Sequence, residues 1–119
     1  MATGRLRTRL RDLPGMAIVD LSGDVDVFGE QALEAAYRQT AKKAPGAILF
    51  NFAGVDYINS KGIALFITLL MRARESGREL FASGLSDHYV DIFEITRLSD
   101  FIHVVPDEEA ALAALARPS

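Results

Sequence analysis

Between residues 5 and 11 the chain alternates basic and mostly apolar positions: Arg5, Arg7, Arg9 and Arg11 are separated by Leu6, Thr8 and Leu10. A period of two predicts a strand with one charged face and one core face. Pro14-Gly15 mark a turn, and Ala17, Val19 and Leu21 then alternate with Ile18 and Asp20, which predicts a second strand paired to the first as a hairpin. The segment GDVDVFG, residues 23–29, reads as a loop. From Glu30 to Lys43 the apolar positions Leu33, Ala36, Tyr37 and Ala41 recur at helical spacing, and Pro45-Gly46 end that helix.

The run AILFNF, from Ala47 to Phe52, is apolar almost throughout, as expected of a strand covered on both faces. A loop, YINSK, leads into a helix from about Lys61 to Ser76, stopped by Gly77. A strand at Leu80–Ser83, a helix at Asp87–Thr96, a strand at Ile102–Val105 and a last helix opened by Pro106 and running to about Ala116 complete the pattern. Strands alternate with helices from residue 16 onward, so the expected fold is α/β: a mostly parallel sheet of about five strands, an N-terminal β-hairpin and about four helices. One domain over residues 1–119 is expected, ordered from about 5 to 116, with Arg117-Pro118-Ser119 fraying.

Composition narrows the function classes. Half of the 119 residues are apolar, enough to fold, and there is no cysteine, which excludes disulfides, thiolate metal sites and cysteine nucleophiles. That composition fits a cytoplasmic protein. The N-terminus lacks the apolar block of a signal peptide. The longest near-apolar run, Gly62–Met71, falls well short of the roughly twenty residues that span a bilayer, so membrane insertion is not expected. Sixteen acidic and thirteen basic residues give a net charge of −3, unfavourable for nucleic acid as a partner.

The usual catalytic kits are missing. Asp24-Val25-Asp26-Val27-Phe28-Gly29 opens like a calcium loop, but position five is Phe28 and position twelve is Ala35, where a bidentate glutamate is required. His88 and His103 fall on different elements with no carboxylate set beside them, and there is no phosphate-binding glycine loop. No enzyme, metal or cofactor is expected.

Ser60, in Asn59-Ser60-Lys61-Gly62, reads in two ways. Its oxygen is of the type that caps a helix, worth about 1 kcal/mol. It also lies beyond the C-terminal end of a parallel strand, where open α/β sheets bind partners, and at a helix N-terminus, where a phosphoryl group would be favoured. Gly62 leaves its approach clear. In the following helix Ile63, Phe66, Ile67 and Leu70 form a stripe that covers the sheet, and Leu65, Leu69 and Met71 broaden the apolar arc into what a partner could cover.

Together the element order and three stretches resemble STAS domains, in particular the bacterial anti-sigma factor antagonists. The stretches are residues 55–63 (VDYINSKGI), similar to that family's Asp-Ser-(Ser/Thr)-Gly-Leu motif; residues 93–98 (FEITRL), like Phe-x-(Ile/Met)-(Thr/Ser)-Gly-Leu; and residues 22–26 (SGDVD), like Gly-(Glu/Asp)-(Ile/Leu)-Asp. The resemblance implies binding to an anti-sigma factor that is also a serine kinase with a histidine-kinase-like ATPase fold. Phosphorylation then ends the interaction and a PP2C-type phosphatase restores it. By position the phosphoacceptor is Ser60. The implied partner surface comprises Asp24 and Asp26 with Tyr57, Asn59, Ser60, Lys61, Gly62, Ile63 and Phe66. A charge of roughly −1.5 to −2 placed in an apolar contact costs desolvation and repels carboxylates such as Asp24 and Asp26. Asn59 stands where the motif has Asp and Lys61 where it has Ser or Thr, so this loop is more positive than the family's; Arg97, where the family has Gly, suggests a modified helix end. The alternative is a scaffold subunit of a stress-signalling or lipid-transport assembly in which Ser60 only caps its helix; a homodimer stays open in either case.

Overall fold

The computed structural model describes residues 4–43 and 45–116. The expected fraying at residues 117–119 lies outside them. The elements are β1 (Arg7–Leu13), β2 (Met16–Val25), α1 (Glu30–Lys42), β3 (Ala47–Ile58), α2 (Ser60–Glu75), β4 (Glu79–Ser83), α3 (Asp87–Ile95), β5 (His103–Val105) and α4 (Glu108–Ala116), with short 3-10 turns at Val27–Gly29 and Leu98–Asp100. The five strands lie side by side in chain order. β1 and β2 are antiparallel, a hairpin closed by Pro14-Gly15, and every later pairing is parallel. The fold is therefore the expected α/β arrangement: a mixed five-stranded sheet with four helices.

Alternation along the strands sends their side chains into two cores. On one face Val19, Leu21, Ile48, Phe50, Leu80 and Ala82 meet α1, α2 and α3. Phe66 of α2 packs edge-on to Phe50 at 5.3 Å and against Phe52 at 5.1 Å, and Phe52 meets Phe93 of α3 at 6.0 Å. This aromatic chain fixes both helices to the central strand, each pair adding about 0.5–1.5 kcal/mol beyond its burial. On the other face Met16, Ile18, Ala47, Leu49 and Phe81 form a smaller core under Ala111, Leu112 and Leu115 of α4. AILFNF is thus covered on both sides, as its composition predicts.

Two elements run further than the pattern suggests. β3 continues from Phe52 to Ile58 and β2 continues to Val25, through residues expected to be loop. The pairing steps from Asp20↔Asn51 to Ser22↔Gly54, and from Gly23↔Val55 to Asp24↔Tyr57, so β3 carries an extra residue at each of two bulges. Each bulge reverses which residues face the core. The period-two signal is erased while the hydrogen-bonded ladder persists. The Tyr89 hydroxyl of α3 accepts from the Ile58 N–H at 2.9 Å and ties down the end of the extended strand.

Candidate functional site

The site is built where β2 and β3 end. Val25, the last residue of β2, accepts a hydrogen bond from the Asn59 N–H at 3.2 Å. A Cβ added to Gly62 would stand 2.1 Å from the Val25 carbonyl oxygen. Only glycine lets the first turn of α2 sit this close to β2, so Gly62 is required by backbone packing and not by the need to clear a path to Ser60. This contact sets the Asp24–Asp26 segment beside the Asn59–Gly62 turn, two stretches more than thirty residues apart in the chain.

The helix cap is not Ser60. Asn59, in extended conformation, occupies the N-cap of α2, and its Oδ1 accepts from the Gly62 N–H at 2.9 Å. Asn caps as well as Asp does, so the substitution in the motif keeps the hydrogen bond and removes only the charge. Ser60 becomes the first helical residue. It is exposed, and among the described residues its hydroxyl has no hydrogen-bond partner. Of the two readings of Ser60, the capping one is therefore not what the structure shows, and its oxygen is left uncommitted.

The remaining expected site residues divide by exposure. Lys61 is exposed and Tyr57 is 52% exposed. Asp26 is half-buried, and its Oδ1 accepts from the Phe28 N–H at 3.0 Å, capping the 3-10 turn. Ile63 is half-buried against the larger core. Three of the expected residues are buried. Phe66, at 1% exposure, belongs to the aromatic chain and offers nothing to a partner. Gly62 is buried under Val25, and Asp24, at 7% exposure, lies within the β2–β3 ladder opposite Tyr57.

The buried stripe of α2 is Gly62, Phe66, Leu69, Leu70 and Ala73, so Ile67 and Met71 point outward, whereas the apolar spacing places Ile67 on the sheet. The spacing alone fits both phases, and packing on Phe50 and Phe52 selects one. Phe28 went unrecognised as a site residue: it is 86% exposed, beside Val27 at 47%. Its signal was present in GDVDVFG, where an Asp two residues before a Phe forms a tight turn that throws the ring outward. Phe28, Val27 and Tyr57 thus give exposed apolar surface to the end of the sheet where β2 and β3 stop.

Residues 7–111 match the STAS domain family, and the chain belongs to it. The anti-sigma-B factor antagonist of Staphylococcus aureus is 33% identical over 86 residues, which is 72% of this chain and 80% of that protein. Among solved structures, an anti-sigma factor antagonist from Mycobacterium paratuberculosis superposes with a TM-score of 0.77 at 23% identity, covering 94% of this chain and 95% of that one. The Bacillus cell fate determinant SpoIIAA, in its phosphorylated form, superposes with a TM-score of 0.70 at 18% identity, covering 92% and 99%. Antagonists of this kind are regulators and not enzymes. Among the described residues no helix is long and apolar enough to cross a membrane.

Proposed function

We propose that this protein is an anti-sigma factor antagonist that binds a serine-kinase anti-sigma factor through the mouth of the sheet and is released when Ser60 is phosphorylated. One observation carries the reading: the Ser60 hydroxyl is exposed and has no hydrogen-bond partner among the described residues, because Asn59 does the capping, and it lies at the end of the sheet that also carries exposed Phe28 and Tyr57. A partner that covers those rings must exclude water from the mouth. A phosphoryl group there would have to be desolvated, at a cost that opposes docking. The first turn of α2 tolerates the new anion within the free protein, because its N–H groups and the helix dipole favour negative charge and Lys61 is adjacent. Modification would then weaken the complex and spare the fold. The 33% identity with an anti-sigma-B factor antagonist supports the class of partner, and SpoIIAA, a neighbour in fold, is known in phosphorylated and unphosphorylated forms. A PP2C-type phosphatase completes the cycle.

The test is binding of wild type, Ser60→Ala and Ser60→Asp to the anti-sigma kinase of the native host, with intact mass measured after incubation with kinase and ATP. Wild type and Ser60→Ala bind, Ser60→Asp binds at least tenfold more weakly, and only wild type gains one phosphate. Equal binding of wild type and Ser60→Asp refutes the switch and leaves a scaffold role.

A further inference from the structure

The face of the sheet opposite α1, α2 and α3 is covered only in part. Met16 and Ile18 along β2, Ala47 and Leu49 along β3, and Phe81 along β4 lie in the core under α4. The next same-face positions are Asp20, Asn51 and Ser83, which are register mates across three strands. This polar row ends the apolar ground that α4 covers. Beyond it lies a groove of about 670 Å³ bounded by β1 and floored by Ser22 and Asn51.

Charge in this groove is unevenly compensated. Arg11 donates to Asp20 at 2.6 and 2.8 Å and to Glu108 at 2.8 Å, and the Asn51 amide donates to Asp20 at 2.8 Å. Arg11 and Asp20 therefore satisfy each other. Arg7 and Arg9 also line the groove, both are exposed, and neither forms an ion pair among the described residues, although Arg9 stands opposite Asp20 across the ladder and shares its field with Arg11. They sit two positions apart on one face of β1, roughly 7 Å from each other. β1 is an edge strand, seven residues without proline or bulge, paired on one side with β2.

We propose that the free edge of β1 docks an acidic extended segment of a partner protein, paired along that edge with carboxylates at alternate positions meeting Arg7 and Arg9, whose side chains rise on the groove face of the sheet. The spacing of residues i and i+2 in an extended chain matches that of the two guanidiniums, and the edge supplies main-chain hydrogen bonds. A second copy of this chain is a poor occupant, because pairing β1 with β1 sets arginine against arginine. Nucleic acid is a poor occupant as well: the groove contains no aromatic ring for bases to stack on, and the chain carries a net charge of −3. The surface is separate from Ser60 and stands whether or not that serine is modified.

The probe is a capped peptide of alternating glutamate and threonine, titrated into the whole protein by calorimetry, with alternating lysine and threonine as control. The acidic peptide binds at low salt and weakens sharply between about 20 mM and about 300 mM NaCl, as the Debye length contracts from roughly 20 Å to under 6 Å. Arg7→Glu with Arg9→Glu lowers affinity at least about tenfold, Lys42→Glu leaves it unchanged, and bound peptide slows amide exchange along β1. If the double reversal shifts the urea midpoint, Arg7→Gln with Arg9→Gln replaces it. No binding, equal binding of the lysine peptide, or indifference to both double variants overturns the proposal. Displacement by equimolar inorganic phosphate would show a simple anion patch, and preference for a single-stranded oligonucleotide would show a nucleic-acid surface; either overturns it too.

Discussion

The division of labour between Asn59 and Ser60 gives a sharp stability test. Asn59→Ala removes the acceptor that Gly62 N–H meets at 2.9 Å. Loss of such a cap costs about 0.5–2 kcal/mol, and Gly62 is buried under Val25, where water replaces the lost acceptor poorly, so the upper half of that range is expected. For a chain of 119 residues, about 1–2 kcal/mol corresponds to a fall in Tm of roughly 4–8 °C. Ser60→Ala breaks no hydrogen bond among the described residues and places the best helix former at an exposed first-turn position, so its effect stays within about 0.5 kcal/mol. Asn59→Asp, which restores the family's residue, keeps the cap and adds charge favourable to the helix dipole; it matches or slightly exceeds wild type. Urea unfolding followed by circular dichroism, with the slope held common, measures all three. If Ser60→Ala costs as much as Asn59→Ala, or if Asn59→Ala behaves as wild type, the account of the turn is wrong.

Gly62→Ala drives a Cβ to 2.1 Å from the Val25 carbonyl oxygen, so it costs about 2–3 kcal/mol or more; a urea midpoint equal to wild type would contradict the contact. Arg97 is held at φ 67°, in the left-handed region, and its ion pair with Asp100 is exposed. Arg97→Gly therefore raises stability by about 0.5–1 kcal/mol, and a lower thermal midpoint for the variant would count against it. Asp20 is held below the usual carboxylate range, chiefly by its hydrogen bond from Arg11 and, against the opposing effect of burial, also by Asn51. A depressed folded-state value means that this stabilisation is fully present above about pH 4 and is lost as pH falls through the folded value. Wild type should thus lose urea resistance below about pH 4 more steeply than Asp20→Asn, and parallel acid limbs would disprove the linkage.

Much of the architecture was legible because its elements obey a single period. The alternation around Arg5–Arg11, the unbroken apolar run at Ala47–Phe52 and the spacing of Leu33, Ala36 and Tyr37 each reappear in the fold. What escaped reading has physical causes. The two bulges in β3 cancel alternation while the ladder continues, so residues 53–58 look like loop. The phase of α2 is settled by Phe66 reaching Phe50 and Phe52, a tertiary contact that local spacing cannot express. Adjacent Asn59 and Ser60 are equally good caps by residue type, and only the starting point of the helix assigns the role. Phe28 was readable in principle from Asp26, but an aromatic residue in a loop says little until the turn that aims it is known.

The first turn of α2 is wedged at one end by Gly62 against the Val25 backbone and pinned a turn later by Phe66 against the Phe50 and Phe52 rings. Such a mounting has no slack. Under the proposed function, altering the chemistry at its tip would change what the protein admits to its surface without moving the scaffold beneath, so a signal received there would be delivered by exclusion, in place, with no deformation to be transmitted or relaxed.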